Sequence, residues 1–132
     1  MRNLSLPLFP YRIDASGNTF PVVPLSLEFE AKKKEFLALI DSGATISIFR
    51  SEVAESLGVN IEKGRETYLG GVGGRIKGYV HKLKVEIASK KFLCPVVFSH
   101  EYTVSFNLLG REVFFKQFRI IFEEKKNYIR LE

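Results

Sequence analysis

Apolar and polar positions alternate with a period of two along much of the chain, which is the spacing of β-strands with one buried face. Leu25, Leu27 and Phe29 mark this pattern within Phe20 to Glu30, and Leu83, Val85 and Ile87 mark it within Arg75 to Ile87. Leu4, Leu6 and Leu8 suggest a first strand that Pro7 confines to an edge or an irregular ladder. Phe36 to Ile40, the short Ile46 to Phe49, Arg65 to Leu69 and Val104 to Leu109 are further expected strands. Phe92 to Phe98 is another, with Pro95 tolerated at an edge or bulge. Phe118 to Phe122 and Tyr128 to Leu131 close the chain as a hairpin. Helix is sparse. Ser51 to Gly58 reads as a short helix, capped by Ser51, favoured by Glu52 in its first turn and stopped by Gly58. Arg111 to Gln117 has room for one or two helical turns. Asp14 to Asn18 is a polar turn, and Lys32-Lys33-Lys34, Lys90-Lys91 and Lys125-Lys126 are expected at hairpin turns. Many short strands with regular turns predict an all-β barrel or sandwich. With no long linker, low-complexity tract or internal repeat, residues 1–132 read as one domain.

Composition narrows the picture. The 132 residues are 45% hydrophobic, which supports a real core and argues against disorder. A net charge of +5 raises the question of a polyanion, but the lysines are expected on solvated turns, so no nucleic-acid partner is expected. Cys94 is the only cysteine, so no intrachain disulfide can form. The first eleven residues are broken by Ser5, Pro7 and Pro10 and lack the apolar segment of a signal peptide, and no apolar run reaches membrane-spanning length. The expectation is a soluble, cytoplasmic protein with no membrane partner.

Three stretches carry chemistry. In Ala38-Leu39-Ile40-Asp41-Ser42-Gly43-Ala44-Thr45, a buried strand delivers a carboxylate to the edge of the core. Ser42 supplies a short donor and acceptor, and Gly43 lets the backbone turn tightly or lie against a ligand. Taken alone, Asp-Ser-Gly is also an ordinary strand-to-turn junction. Tyr68-Leu69-Gly70-Gly71-Val72-Gly73-Gly74-Arg75-Ile76-Lys77-Gly78 reads as a hairpin with a glycine tip that can bend over a bound chain. It is not a phosphate cradle: after Gly71-Val72-Gly73 a dinucleotide fingerprint needs glycine where Ile76 stands, and no Gly-Lys-Ser/Thr follows. Asn107-Leu108-Leu109-Gly110-Arg111 sets apolar residues against a glycine before a short helix.

In this order the three stretches resemble the retropepsin-like, or retroviral-type, aspartic proteases. Asp41-Ser42-Gly43-Ala44 is similar to the active-site loop of that family, Leu69 to Lys77 to its flap, and Leu108-Leu109-Gly110-Arg111 to the segment beneath the catalytic loop. The resemblance covers roughly Phe20 to Phe122. It implies an all-β, closed β-barrel-like acid protease fold with one or two short helices and a flap hairpin. Thr45 stands where many retroviral members carry a second aspartate, so an ionic partner for Arg111 is missing there.

Metal-free peptide hydrolysis needs a water made nucleophilic and a leaving nitrogen protonated, and two close carboxylates sharing one proton do both. The chain has only two aspartates, and Asp14 opens a polar turn with no apolar strand behind it. A second copy of Asp41 across a two-fold axis is the economical source of the second carboxylate, which predicts an obligate homodimer. Asp41 is the expected catalytic acid or base, and the resemblance gives Ser42 and Gly43 the support of the loop. It implies that Ala44, Gly70, Gly71, Val72 and Gly73 bind an extended peptide or protein substrate, Val72 filling a subsite. His81 and His100 lack ligand spacing, so no metal or other cofactor is expected. Ser99-His100-Glu101 are sequence neighbours rather than a triad. The rival reading is a non-catalytic peptide-binding or dimerisation module on the same fold.

Overall fold

The computed structural model of the chain describes residues 7–71 and 73–132. Their architecture is the expected all-β one. In chain order the strands begin with β1 (Leu8–Pro10), β2 (Arg12–Ile13), β3 (Thr19–Phe20), β4 (Val22–Phe29), β5 (Lys32–Ile40) and β6 (Ser47–Phe49). After helix α1 (Ser51–Leu57) come β7 (Arg65–Gly71), β8 (Gly74–Ile87), β9 (Lys90–Phe98) and β10 (Leu108–Leu109). Helix α2 (Phe114–Gln117) precedes β11 (Ile120–Glu123) and β12 (Tyr128–Leu131).

The order β4-β5-β10-β6-β9-β8 closes on itself because β8 also pairs with β4, which makes a ring of strands. Strand β7 is bound to β8 alone and projects from that ring. The predicted alternation decides what goes inside. Leu25 and Leu27 of β4, Leu83, Val85 and Ile87 of β8, and Cys94, Val96 and Phe98 of β9 are all buried. Phe49 and Phe114 complete the centre, and Phe114 packs against Phe92, Phe115 and Phe118. Pro95 sits where β9 has β8 on one side only, because β6 joins from Val96 onward. A missing N–H is therefore harmless there. A separate sheet, ordered β1-β12-β11, brings the two ends of the chain together.

Several expectations shift. Leu4 and Leu6 lie outside the described residues, so only Leu8 of the first predicted strand is found in β1, which is an edge strand. Lys32 to Lys34 and Lys90 to Lys91 are not in turns but open β5 and β9, while Lys125 and Lys126 fall in a short 3-10 turn. The turns lie just before those lysines, at Glu30 (φ 54°) and at Ala88 and Ser89 (φ 53° and 66°), which adopt left-handed backbone without glycine. Helix α1 is capped by Arg50 rather than Ser51, with no side-chain cap, although Gly58 ends it as expected with φ 75° and its N–H on the Ala54 and Glu55 carbonyls. Of the strand expected over Val104 to Leu109, only the last two residues form a ladder. The preceding loop is tied by side chains instead: Tyr102 donates to the Phe106 carbonyl (2.8 Å), and Asn107 joins the Arg50 N–H to the Leu37 carbonyl (2.8 and 2.9 Å).

Candidate active site

Strand β5 carries the Asp41 loop to its place. Leu39 and Ile40 run parallel to Leu108 and Leu109, and the Asp41 N–H donates to the Leu109 carbonyl (3.0 Å). The chain then turns, with the Ala44 N–H on the Asp41 carbonyl (3.2 Å). The Asp41 carboxylate accepts the Gly43 N–H through Oδ1 (2.9 Å), and a Cβ on Gly43 would stand 3.3 Å from that same oxygen. Asp41 is half-buried, and among the described residues no cation pairs with it.

The third sequence stretch lies directly under this loop. The Arg111 N–H donates to the Ala44 carbonyl (2.9 Å), the Glu112 N–H to the Thr45 carbonyl (2.8 Å) and the Gly110 N–H to the buried Ser47 Oγ (3.0 Å). Main-chain bonds thus join Arg111 and Glu112 to residues 44 and 45, so Thr45 needs no charge to be held. Gly110 is required by closeness: a Cβ there would lie 2.3 Å from the Ile46 carbonyl oxygen. Beyond it, Val113 takes φ 64° and ψ −55°, and the Phe114 N–H returns to the Glu112 carbonyl (2.7 Å). This is the positive-φ γ-turn, strained for a β-branched residue and held by the complete burial of Phe114.

Opposite the loop, β7 and β8 form the expected hairpin, with Gly71 paired to Gly74. Gly73 and Gly74 have φ of 99° and 122°, which a side chain would strain. The register places Leu69 against Ile76 on one face and Tyr68 against Lys77 on the other. An open cleft of about 590 Å³ separates hairpin and loop. Gly43, Ala44 and Gly70 line it, as does Thr45. Asp41 and Ser42 sit beside it rather than in its lining, Ser42 being exposed, and Val72 lies outside the described residues. Gly71 and Gly73 stand at the hairpin end.

Tyr102 and Val104 also line the cleft, and no sequence motif marks them. They come from the loop that Asn107 folds back, so their placement depends on contacts far along the chain. Burial, and then the charge of Asp41, push the Tyr102 phenol up to about 12, which keeps it a hydrogen-bond donor. The histidines lie elsewhere: His81 meets the Ile61 carbonyl and His100 meets Glu62, each at 2.9 Å. The buried Ser99 hydroxyl bonds the Lys77 carbonyl, not His100. Among the described residues no group of three or more His, Cys, Asp or Glu side chains could hold a metal, and no helix is long and apolar enough to cross a membrane.

A strand ring with a carboxylate loop on one side of a cleft and a glycine-tipped hairpin on the other is the retroviral protease fold. The EIAV protease complexed with the inhibitor HBY-793 is similar in structure, with a TM-score of 0.60 at 18% identity over 74% of this chain and 88% of that one. The family model described as aspartyl protease matches residues 26–113, which contain the loop, the hairpin and the Gly110 segment; this chain belongs to the aspartyl protease family. No curated protein sequence matches it significantly.

Proposed function

We propose that the protein is an aspartic endopeptidase that works as a homodimer, with Asp41 of each subunit sharing one active site. The observation that carries this reading is the setting of Asp41. Its carboxylate is fixed by the Gly43 N–H at the end of a strand anchored by the buried Ala38 and Ile40, although Leu37 between them and Phe36 is exposed, beside a cleft walled by a glycine-tipped hairpin. In the assembled site one Asp41 is ionised and its twin protonated, since like charges so close disfavour double ionisation. The ionised carboxylate takes a proton from water, whose oxygen attacks the peptide carbonyl while the protonated carboxyl polarises it. The C–N bond of the resulting tetrahedral species breaks as the nitrogen receives a proton from the pair. Ser42 holds the two loops together across the axis, and Gly43 and Ala44 admit the substrate backbone. Gly70, Gly71 and Gly73 act as the flap that closes over an extended peptide. The apolar residues Leu69, Ile76 and Val104 favour apolar side chains next to the cut bond.

Asp41→Asn tests this directly. The substitution keeps the size of the side chain and its acceptor for Gly43, so fold and dimer should persist while peptidase activity falls by on the order of a thousandfold or more. Wild-type turnover by that variant would refute the mechanism.

A further inference from the structure

The sheet that joins the chain ends has two edges of unequal character. Arg119 and Glu132 exchange main-chain bonds in both directions (2.9 and 3.0 Å). Ladder alternation then makes Ile121–Arg130 and Glu123–Tyr128 the next bonded pairs. The N–H and C=O groups of Ile120 and Phe122 therefore point the other way, along the outer edge of β11. Among the described residues no strand lies beyond that edge. On β1, the bonds from the Leu131 N–H to the Pro7 carbonyl and from the Tyr11 N–H to the Asn127 carbonyl turn Leu8 and Pro10 outward. Pro10 has no N–H, so that edge offers one donor where β11 offers two. Phe122 adds a second difference. It lies opposite the buried Ile129 and so shares the inner face of the sheet, yet it is 37% exposed. The apolar face runs on past the last strand.

We propose that β11 is the edge through which two copies of this chain join, forming a six-stranded sheet across the dimer axis. The inference rests on the reading that the active site needs two copies of Asp41. A two-fold axis between antiparallel edge strands stands perpendicular to the sheet and keeps both inner faces on one side, so facing positions have the same parity. With Ile121 on the axis opposite the partner's Ile121, Ile120 faces the partner's Phe122 and Arg119 faces the partner's Glu123. The outward groups of Ile120 and Phe122 then make four main-chain hydrogen bonds, and each Phe122 is covered. Two Arg–Glu pairs form on the outer face. A slip of two residues either way sets Ile121 against Arg119 or Glu123 and loses both pairs. The edge is its own complement in charge and shape, which selects a second copy over a foreign strand.

Two variants test the register. At a directly opposed, non-bonded pair the Cα atoms stand about 4.5 Å apart, within disulfide range. Ile121→Cys should therefore give a covalent dimer on mild oxidation. Wild type, whose Cys94 is buried, and Leu93→Cys on an exposed site of β9 should not. Arg119→Glu should raise the dimer dissociation constant about tenfold in sedimentation, and adding Glu123→Arg should restore it. A wild-type dimer that Arg119→Glu leaves unmoved, with no bridge in Ile121→Cys, overturns the edge and leaves the two-copy active site standing. A chain that is monomeric and active at every concentration overturns both. A bridged dimer without peptidase activity supports the edge and removes the proposed function.

Discussion

Residues 41–45 hang from residues 109–112 by main-chain hydrogen bonds against the packed ring, whereas residues 65–71 pair with β8 alone, in a projecting ladder whose side-chain contacts lie on an exposed face. Beneath Asp41 the spacing leaves no slack: Leu109 and Ser47 are buried, and a single added carbon on Gly110 would meet backbone atoms of Ile46. Across the cleft, Arg75 lies over the Tyr68 ring (4.6 Å), and Lys77 pairs with Glu66 (3.1 Å) and approaches the Tyr79 ring (5.8 Å). Tyr68 is 51% exposed, and such surface contacts contribute little individually. In the proposed dimer the Asp41 carboxylate would have to meet its twin and so needs a rigid seat, while a hairpin that admitted a peptide would need small barriers to motion. The two regions use the same residue type to opposite ends, glycine removing bulk at 110 and permitting unusual backbone at 73 and 74.

Gly110→Ala should break the first region most severely. Backbone meets the new carbon, so no side chain can move aside, and the loss of stability should be on the order of 3 kcal/mol, with peptidase activity lost too. Gly70→Ala is the matched substitution across the cleft. Its added carbon meets nothing within 4 Å, so denaturant unfolding should change by less than about 0.5 kcal/mol.

Alkaline pH should act on the first region next. Burial pushes the Cys94 thiol up to about 11, and its sulfur lies 4.0 Å from the carbonyl of Glu112, whose N–H holds Thr45. The folded state keeps this proton longer than the unfolded chain does. The stability involved is complete below about pH 9 and declines toward pH 11, by up to roughly 1.4 kcal/mol per pH unit. Unfolding measured across that range should show the decline, and Cys94→Ala should remove the part that begins near pH 9, leaving the later loss from Tyr102 and Tyr11, whose phenols burial also pushes up, and from the ion-paired Lys33 and Lys77. The hairpin should yield the smallest effect. Arg75→Ala removes the contact with Tyr68 and should cost about 0.5–1 kcal/mol locally, read as faster amide exchange in residues 65–77 with unchanged protection at Leu39 and Ile40.

Legibility in the sequence divided instead between local and long-range signals. Asp41, Gly110 and the glycine hairpin could be read because strand alternation and glycine placement are local signals. The join that Leu108 and Leu109 make between β5 and β6 could not, since a two-residue strand has no period. Tyr102 and Val104 stayed hidden because Asn107, through bonds to residues 37 and 50, brings them to the cleft. The hairpin turns at Glu30 and at Ala88-Ser89 were displaced onto the neighbouring lysines because ordinary residues take positive φ there. Val113 is a similar case: nothing in Glu-Val-Phe announces a γ-turn, which exists because Phe114 must reach the core.

The bond from Asp41 to the Leu109 carbonyl has a consequence for timing. A ribosome that has already released the Asp41 loop must still add every residue up to Leu109 before that anchor emerges. Growing chains therefore carry an unset Asp41 loop until Leu109 and the residues around it have been made.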